Sequence, residues 1–169
     1  MIFLTVGTQF PFDRMTTVVD AWCAAAGAEA KVIGQIGHLG PENYRPQHFE
    51  WVERVDPPSF DRHMRAASVI VSHAGMGSII TAMSTGKPII ILPRRAHLGE
   101  QRNDHQFATA QHLGTRPGVF TAMTEDELPD LIDRVIATAD SKADGTVSPF
   151  AEPRLIDALS AFIHEDSTG

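Results

Sequence analysis

Two loops that carry glycine, histidine, arginine and amide side chains follow the most apolar runs of this sequence. The first loop, Ser72 to Ser78, has the sequence Ser-His-Ala-Gly-Met-Gly-Ser and follows the run Val69 to Val71. Its glycines, Gly75 and Gly77, permit a turn with positive φ and allow a ligand to approach the backbone closely. Amide N–H groups at the start of the helix that follows, together with the helix dipole, attract phosphate. The sequence therefore predicts a phosphate or diphosphate site in this loop.

Two side chains of the loop add to that chemistry. His73 stands at the tip of the predicted strand, where its imidazole can donate to a phosphate oxygen, and Ser78 offers a hydroxyl group. A second interpretation stays open, because a glycine-containing turn between a strand and a helix also occurs without any ligand. In that case His73 would be only a histidine at the end of a strand.

The second loop, 94–104, follows the apolar run Ile89 to Leu92 and Pro93. Arg94 and Arg95 open this loop, and a planar guanidinium group can bind a diphosphate or a sugar carboxylate. A solvated pair of surface arginines is the alternative. The rest of the loop holds carboxylate and amide groups that suit sugar hydroxyls, namely Glu100, Gln101, Asn103 and Asp104.

Short apolar runs alternate with amphipathic segments, as is typical of a parallel sheet with crossover helices. We predict strands at Ile2 to Val6, Ala30 to Ile33, Phe49 to Val55, Val69 to Val71, Ile89 to Leu92 and Val119 to Phe120. Predicted helices are Arg14 to Ala26, Phe60 to Ala66 with Ser59 as its cap, Ile79 to Thr85, Gln106 to Leu113, a helix capped by Thr124 with Glu127 in a capping box, and 153–164. The chain is then one α/β, Rossmann-like, three-layer domain over 1–169 with a mobile loop at 140–149. Both polar loops would lie at the carboxyl ends of strands, where open α/β sheets bind ligands.

Composition excludes several classes of protein. A chain of 169 residues with 43% apolar residues suits one globular domain, and a formal charge of −7 argues against binding nucleic acid. The single cysteine, Cys23, leaves no internal disulfide and suits a reducing compartment. The start, Met1 to Val6, resembles a strand more than a signal peptide, and no apolar run approaches the roughly 20 residues of a membrane-spanning helix. We expect a cytoplasmic protein, and a homo-oligomer stays open.

A set of motifs distributed over the first two thirds of the chain carries a family resemblance. The motifs are Thr5 to Gln9, Pro11 to Arg14, His73 to Ser78, Gly86-Lys87-Pro88, Pro93 and His105-Gln106. Together they resemble the donor-binding, C-terminal half of family 28 glycosyltransferases of the two-domain GT-B type. The greatest likeness is to split, single-domain members, which include the catalytic subunit of the dolichol-linked N-acetylglucosaminyltransferase and half-length glycosyltransferases of bacterial exopolysaccharide assembly.

This resemblance implies a nucleotide-sugar donor, a UDP-sugar, whose sugar is transferred to a lipid-linked acceptor. It also implies a separate membrane-associated subunit that binds the acceptor and brings this chain to the inner face of the membrane, without a cofactor or a metal. The implied binding residues are Gly7, Thr8, His73, Gly75, Met76, Gly77, Ser78, Arg94, Glu100, Asn103, His105 and Gln106. The catalytic base is not identified: Thr8, Gln9 and Asp13 border the cleft or only shape a turn, and an acid from the partner is the alternative.

Two positions depart from the pattern of the family. His105 stands where an acidic or amide residue usually precedes Gln106 and helps to hold the donor sugar. Thr81 stands where many relatives have a carboxylate that accepts from the ribose hydroxyls. Uridine specificity therefore rests on the resemblance and not on a particular residue.

Four other functions were compared with these observations. His97, His105 and His112 lack compact spacing for a metal site. The glycine pattern at Gly75 lacks the third glycine of a dinucleotide-binding dehydrogenase, and Ser78 lacks the neighbours of a nucleophilic serine. A non-catalytic subunit that binds a nucleotide-sugar or acts as a scaffold remains the alternative to an enzyme.

Overall fold

Strands and helices alternate in the computed structural model, which describes residues 1–27 and 31–142. Within these ranges the strands are β1 (Ile2–Thr5), β2 (Val32–Gln35), β3 (Glu50–Val52), β4 (Val69–His73), β5 (Ile89–Leu92) and β6 (Val119–Thr121). The α-helices are α1 (Asp13–Ala26), α2 (Pro57–Ala66), α3 (Met76–Ser84), α4 (His105–Leu113) and α5 (Leu128–Lys142). None of these helices is long and apolar enough to cross a membrane.

The six strands form one parallel sheet in the order β3-β2-β1-β4-β5-β6. In the register at the centre of the sheet, Thr5 lies beside Ser72, and Ser72 lies beside Ile91. The carboxyl ends of β1, β4 and β5 therefore meet at one edge, so that the loops that follow them are neighbours. The predicted α/β, Rossmann-like fold with a parallel sheet is confirmed.

Each face of the sheet carries its own apolar core, because neighbouring strand residues point to opposite faces. One core joins alternate strand residues to α1 and α5, and it includes Ile2, Leu4, Val69, Val71, Met15, Val19, Leu128 and Ile132. The other core joins the remaining strand residues to α2, α3 and α4, and it includes Phe3, Ile70, Ile89, Ile91, Met64, Ile79, Ala82 and Ala110. Helices thus cover both faces, which produces the predicted three layers and explains why β1 and β5 are buried throughout.

Several predicted element ends are wrong. Strand β2 extends to Gln35 instead of ending at Ile33, because the backbone at Gln35 still pairs with β1. Strand β3 covers only Glu50–Val52 of the predicted Phe49 to Val55, since only these residues pair with β2. Helix α3 begins at Met76, three residues before the predicted start, so that it includes Gly77 in its first turn.

Two predicted helix caps are also wrong. The N-cap of α2 is Asp56, whose carboxylate accepts from the Ser59 amide at 2.9 Å, so that Ser59 is inside the helix and not its cap. The Thr124 side chain makes no capping hydrogen bond, while Glu127 accepts from the Met123 amide at 2.8 Å. Helix α5 continues to Lys142, into the predicted loop at 140–149. The rest of that loop and the predicted helix at 153–164 lie outside the described residues.

A buried carboxylate on α1 fixes the connection between β2 and β3. Asp20 is only 1% exposed and accepts hydrogen bonds from the Tyr44 hydroxyl at 2.6 Å and from the backbone amides of Gln47 and His48 at 3.0 and 2.7 Å. Despite the opposing effect of burial, these hydrogen bonds hold the pKa of Asp20 below its usual value. A loop without regular structure is thereby attached to the layer that carries α1.

Asp20→Ala would leave the Tyr44 hydroxyl and two backbone amides without their acceptor. We expect the free energy of unfolding to fall by about 3 kcal/mol, since these partly buried donors lose a buried, charged acceptor. Urea denaturation followed by circular dichroism measures this change. Asp61→Ala is the control, because Asp61 is exposed and, within residues 1–27 and 31–142, pairs only with Arg65 on the same helix; its expected effect is below about 0.5 kcal/mol. Equal effects of the two substitutions would contradict the anchoring role of Asp20.

Candidate functional site

A cavity of about 450 Å³ opens at the carboxyl edge of the sheet, between the loops that follow β1 and β4. Its wall contains the loop after β1, the start of α3, the end of β2 and two amide side chains near α4. The lining residues are Thr5, Val6, Gly7, Thr8, Gln9, Phe10, Gln35, Phe60, His73, Gly75, Gly77, Ser78, Thr81, Arg94, Gln101 and Gln106. Within the described part of the chain, no carboxylate lines this cavity, which suits an anionic ligand.

The glycine loop places the start of α3 at the cavity. The backbone amides of Met76, Gly77 and Ser78 donate to no acceptor in the described residues, as is usual for the first turn of a helix. The prediction that Gly75 and Gly77 adopt positive φ is wrong: Gly75 has a φ of −89°, and Gly77 is an ordinary helical residue.

Glycine is required at position 75 for a different reason. A Cβ at Gly75 would collide with the imidazole of His73, whereas a Cβ at Gly77 would meet no atom within 4 Å. Gly7, on the opposite loop, has a φ of +84°, and a Cβ there would lie 2.9 Å from the same imidazole. The two glycines thus make room for His73, while Gly77 leaves the first turn of α3 open.

His73 is held as a neutral imidazole between these loops. Burial lowers its pKa to about 4, and the positive charge of Arg94 acts in the same direction, while a backbone contact with Thr5 opposes both. A neutral imidazole can donate one hydrogen bond to a ligand, but it is a weak base at neutral pH.

Arg94 lies beneath the cavity and is only 3% exposed. Its guanidinium donates to the carbonyl oxygens of Val6 at 3.0 Å, Phe10 at 2.7 Å and Pro11 at 2.8 Å, and it stacks 4.5 Å from the centre of the Phe12 ring. Burial lowers its pKa to about 10, which still leaves it charged at neutral pH. The alternative of a solvated arginine is therefore wrong, and most donors of Arg94 are occupied by the protein.

The other predicted residues of the second loop do not all reach the cavity. Glu100 accepts from Arg14 at 2.7 and 2.8 Å and from the Arg95 amide at 2.8 Å, so it joins the loop to α1. Asn103 and His105 are exposed and do not line the cavity, and neither does Met76. The structure therefore brings together eight of the twelve predicted binding residues, namely Gly7, Thr8, His73, Gly75, Gly77, Ser78, Arg94 and Gln106.

The predicted set of binding residues omits several polar residues that line the cavity. Gln9, Gln35, Gln101 and Thr81 all contribute to the wall. Gln35 is a buried amide at the carboxyl end of β2. A polar residue at the end of an apolar strand was the feature of the sequence that could have predicted its place in the cavity. Thr81 donates to the Gly77 carbonyl at 2.8 Å, so its hydroxyl is already used within α3. Among residues 1–27 and 31–142, no group of histidine, cysteine and acidic side chains could hold a metal ion.

His73→Gln should reduce the loss of stability in acid. The unfolded chain protonates His73 near its ordinary pKa of 6.5, whereas the folded protein resists protonation to about pH 4. Because the unfolded state takes up the proton first, the folded state loses about 3 kcal/mol through this residue as the pH falls between these values. Urea denaturation from pH 7 to pH 4 should show a smaller decline in the variant. His112→Gln, at an exposed position, is the control, and identical declines in all three proteins would contradict a neutral, partly buried His73.

Comparison with known proteins agrees with this fold. The chain is 27% identical to UDP-N-acetylglucosamine transferase subunit ALG13 of Homo sapiens over 125 residues, which cover 70% of this chain and 11% of that protein. It is 30% identical over 95 residues to the UDP-N-acetylglucosamine--N-acetylmuramyl-(pentapeptide) pyrophosphoryl-undecaprenol N-acetylglucosamine transferase of Treponema denticola, covering 56% of this chain and 22% of that protein. The chain thus spans less than a quarter of the length of either relative.

A solved structure shows the same fold. MurG of Acinetobacter baumannii superposes with a TM-score of 0.60 at 15% identity, and the match covers 94% of this chain and 49% of that chain. The described domain therefore corresponds to one half of a GT-B glycosyltransferase. A family model, the glycosyltransferase family 28 C-terminal domain, matches residues 1–151. The resemblance predicted from the motifs is confirmed, and the chain belongs to the family of glycosyltransferase family 28 C-terminal domains.

Proposed function

We propose that this chain binds a UDP-linked sugar in the cavity at the carboxyl edge of the sheet. Paired with a membrane-associated subunit that holds a lipid-linked acceptor, it transfers the sugar to that acceptor. The name of the human relative supports a UDP-sugar donor and a subunit role, and the name of the Treponema relative supports an acceptor on a lipid diphosphate. The observation that carries the proposal is the cavity itself, where, among the described residues, unpaired helix amides meet a buried arginine and no carboxylate.

The diphosphate would lie against the first turn of α3. The amides of Met76, Gly77 and Ser78, the helix dipole and the charge of Arg94 all favour a negative group there. During transfer the acceptor hydroxyl attacks the anomeric carbon, the bond from that carbon to the diphosphate oxygen breaks, and UDP leaves with the added negative charge. Fixed donors that stabilise this charge lower the barrier without a metal ion. His73 lines the same cavity and, being neutral, adds no charge to this site.

The donor sugar would lie near the amide groups of Gln101 and Gln106. The side-chain oxygen of Gln106 accepts from the Arg94 amide at 3.2 Å, and that of Gln101 accepts from the Arg102 amide at 3.3 Å. The side-chain NH₂ groups of both glutamines donate to no acceptor in the described residues, and both residues line the cavity. Each amide is thereby oriented by the protein and retains donors for sugar hydroxyls.

The base that removes the acceptor proton would come from the partner subunit. His73 has a pKa of about 4, which is too low for an efficient base at neutral pH, and no acidic side chain of the described residues lines the cavity. The same observation favours a second candidate function, in which the chain only binds the nucleotide-sugar and supports catalysis in another protein. Donor binding is common to both functions, and turnover separates them.

Isothermal titration of the chain with UDP should show one site, which Gly77→Asp abolishes or weakens at least 10-fold. An aspartate at position 77 would repel the diphosphate from the first turn of α3, because its carboxylate would lie among the donor amides. The same substitution should not destabilise the fold, since the added side chain meets no atom within 4 Å and an acid in the first turn is favourable.

Thr115→Asp, at an exposed position, adds the same charge far from the cavity and should leave the affinity for UDP unchanged. Thermal denaturation verifies that both variants are folded. If the wild-type chain does not bind UDP, alone or with its partner, the proposed function is wrong. If Gly77→Asp binds UDP as tightly as the wild type, the diphosphate lies elsewhere.

Reconstitution with the membrane-associated partner should produce transfer to a lipid-linked acceptor, while the isolated chain should transfer little. A missing general base lowers such a rate by roughly 10²- to 10⁴-fold. Transfer is measured with a radiolabelled UDP-sugar and extraction of the lipid product. Gly77→Asp in the pair is the matched control and should remove transfer. Binding of UDP by the chain without transfer in the reconstituted pair would favour the second candidate function.

A further inference from the structure

The loop after β1, residues 6–11, forms the wall of the cavity opposite α3, and its carbonyl groups are held by two buried side chains. Arg94 accounts for the carbonyls of Val6, Phe10 and Pro11. The side-chain amide of Gln35 donates to the carbonyl of Gly7 at 3.1 Å, and Gln35 is only 2% exposed. Four carbonyl oxygens of this loop therefore accept hydrogen bonds from groups in the protein interior.

Several backbone amide groups of the same loop, in contrast to these carbonyls, have no hydrogen-bond partner in the described residues. The backbone N–H groups of Thr8, Gln9 and Phe10 donate to no acceptor within the described ranges, and these three residues line the cavity. Gly7, just before them, has a φ of +84° and gives the chain its turn. Successive amides in a turn of this kind are able to bind an anion. Among the described residues the loop thus offers unpaired donors, while four of its six carbonyl acceptors are occupied.

Arg94 has little capacity left for a ligand of its own. Four of its five N–H donors are on Nη1 and Nη2, and four carbonyl oxygens accept from these two nitrogens. Nη2 donates to Val6 and Phe10, and Nη1 donates to Pro11 and, at 3.5 Å, to Glu100. The stacking on Phe12 fixes the plane of the guanidinium. The geometry therefore suits the holding of a loop better than direct contact with a diphosphate.

We propose that Arg94 and Gln35 are positioning residues of the donor site, which act by fixing the course of residues 6–11. Gln35 fixes the peptide group that joins Gly7 to Thr8 directly, and the bonds of Arg94 to the carbonyls of Val6, Phe10 and Pro11 hold the segment from Thr8 to Phe10 at both of its ends. The amides of Thr8, Gln9 and Phe10 then form a second donor surface, opposite the first turn of α3, for the phosphate groups of the nucleotide-sugar. This inference rests on the proposed function, because it assigns a role in binding the same diphosphate.

Two substitutions separate positioning from charge. Arg94→Lys retains the positive charge, but a single ammonium group cannot reproduce the planar arrangement that holds three carbonyls. Gln35→Met removes one neutral donor at nearly constant volume and leaves the charge of the site unchanged. We expect the affinity for UDP to fall at least 10-fold in Arg94→Lys and about fivefold in Gln35→Met, while the affinity for uridine, which has no phosphate, changes less than twofold.

Arg102→Lys is the matched control, because Arg102 is exposed and its guanidinium has no ion pair or hydrogen bond within the described residues. Thermal denaturation shows which variants fold. If Arg94→Lys does not fold, the result for Gln35→Met decides the outcome. A ratio of UDP to uridine affinity equal to that of the wild type in the folded variants would overturn the proposal. A merely structural role would reduce both affinities together, and that result would overturn it as well.

Amide chemical shifts of the wild-type chain test the same surface directly and separate the two levels of inference. On addition of UDP, the resonances of Thr8, Gln9 and Phe10 should shift together with those of Met76 to Ser78. Shifts at α3 alone would overturn the role of the loop but leave the proposed function intact. Shifts at neither position would contradict the proposed function itself.

Discussion

The parallel pairing of β1 with β4 is the constraint on which the candidate site depends. Because Thr5 lies beside Ser72, the two strands end at the same level, and the loops that follow them form opposite walls of one cavity. Gly7 and Gly75 both lie against the imidazole of His73, and a Cβ at either position would come too close to this ring. A change of register by one residue would separate these loops and would also move the apolar side chains of β1 to the wrong face.

The cavity has a local chemistry that differs from that of the chain as a whole. The formal charge of the chain is −7, yet the residues that line the cavity include a buried arginine and no acid among those described. Backbone amides of the loop after β1 and of the first turn of α3 supply further donors, and amides are fixed by the fold and do not titrate. Electrostatic attraction to a diphosphate is therefore concentrated where the strands end, while the acidic surface has no attraction for polyanions in general.

Many side chains at this edge act on the backbone and not on a ligand. Arg94 and Gln35 bind carbonyls of the loop after β1, Thr81 binds a carbonyl within α3, and Glu100 ties the second loop to Arg14. Such contacts hold the loops in place within the fold, so that less conformational freedom is left for a ligand to restrict. Preformed donors of this kind favour tight binding because less conformational entropy is lost with the ligand.

The sequence by itself determined the alternation of strands and helices, the parallel sheet, the family and the glycine loop at the end of β4. These are local or periodic properties, since hydrophobic alternation and glycine position are visible in a short window of residues. Only the tertiary structure decided that glycine at position 75 makes room for the His73 imidazole and does not adopt a positive φ. It also decided that Arg94 is buried and binds carbonyls, and that Gln35 lines the cavity while Asn103 and His105 do not. The positions of Gln35 and Arg94 depend on contacts between residues 28 and 88 positions apart, and such contacts arise only when the sheet brings the ends of its strands together.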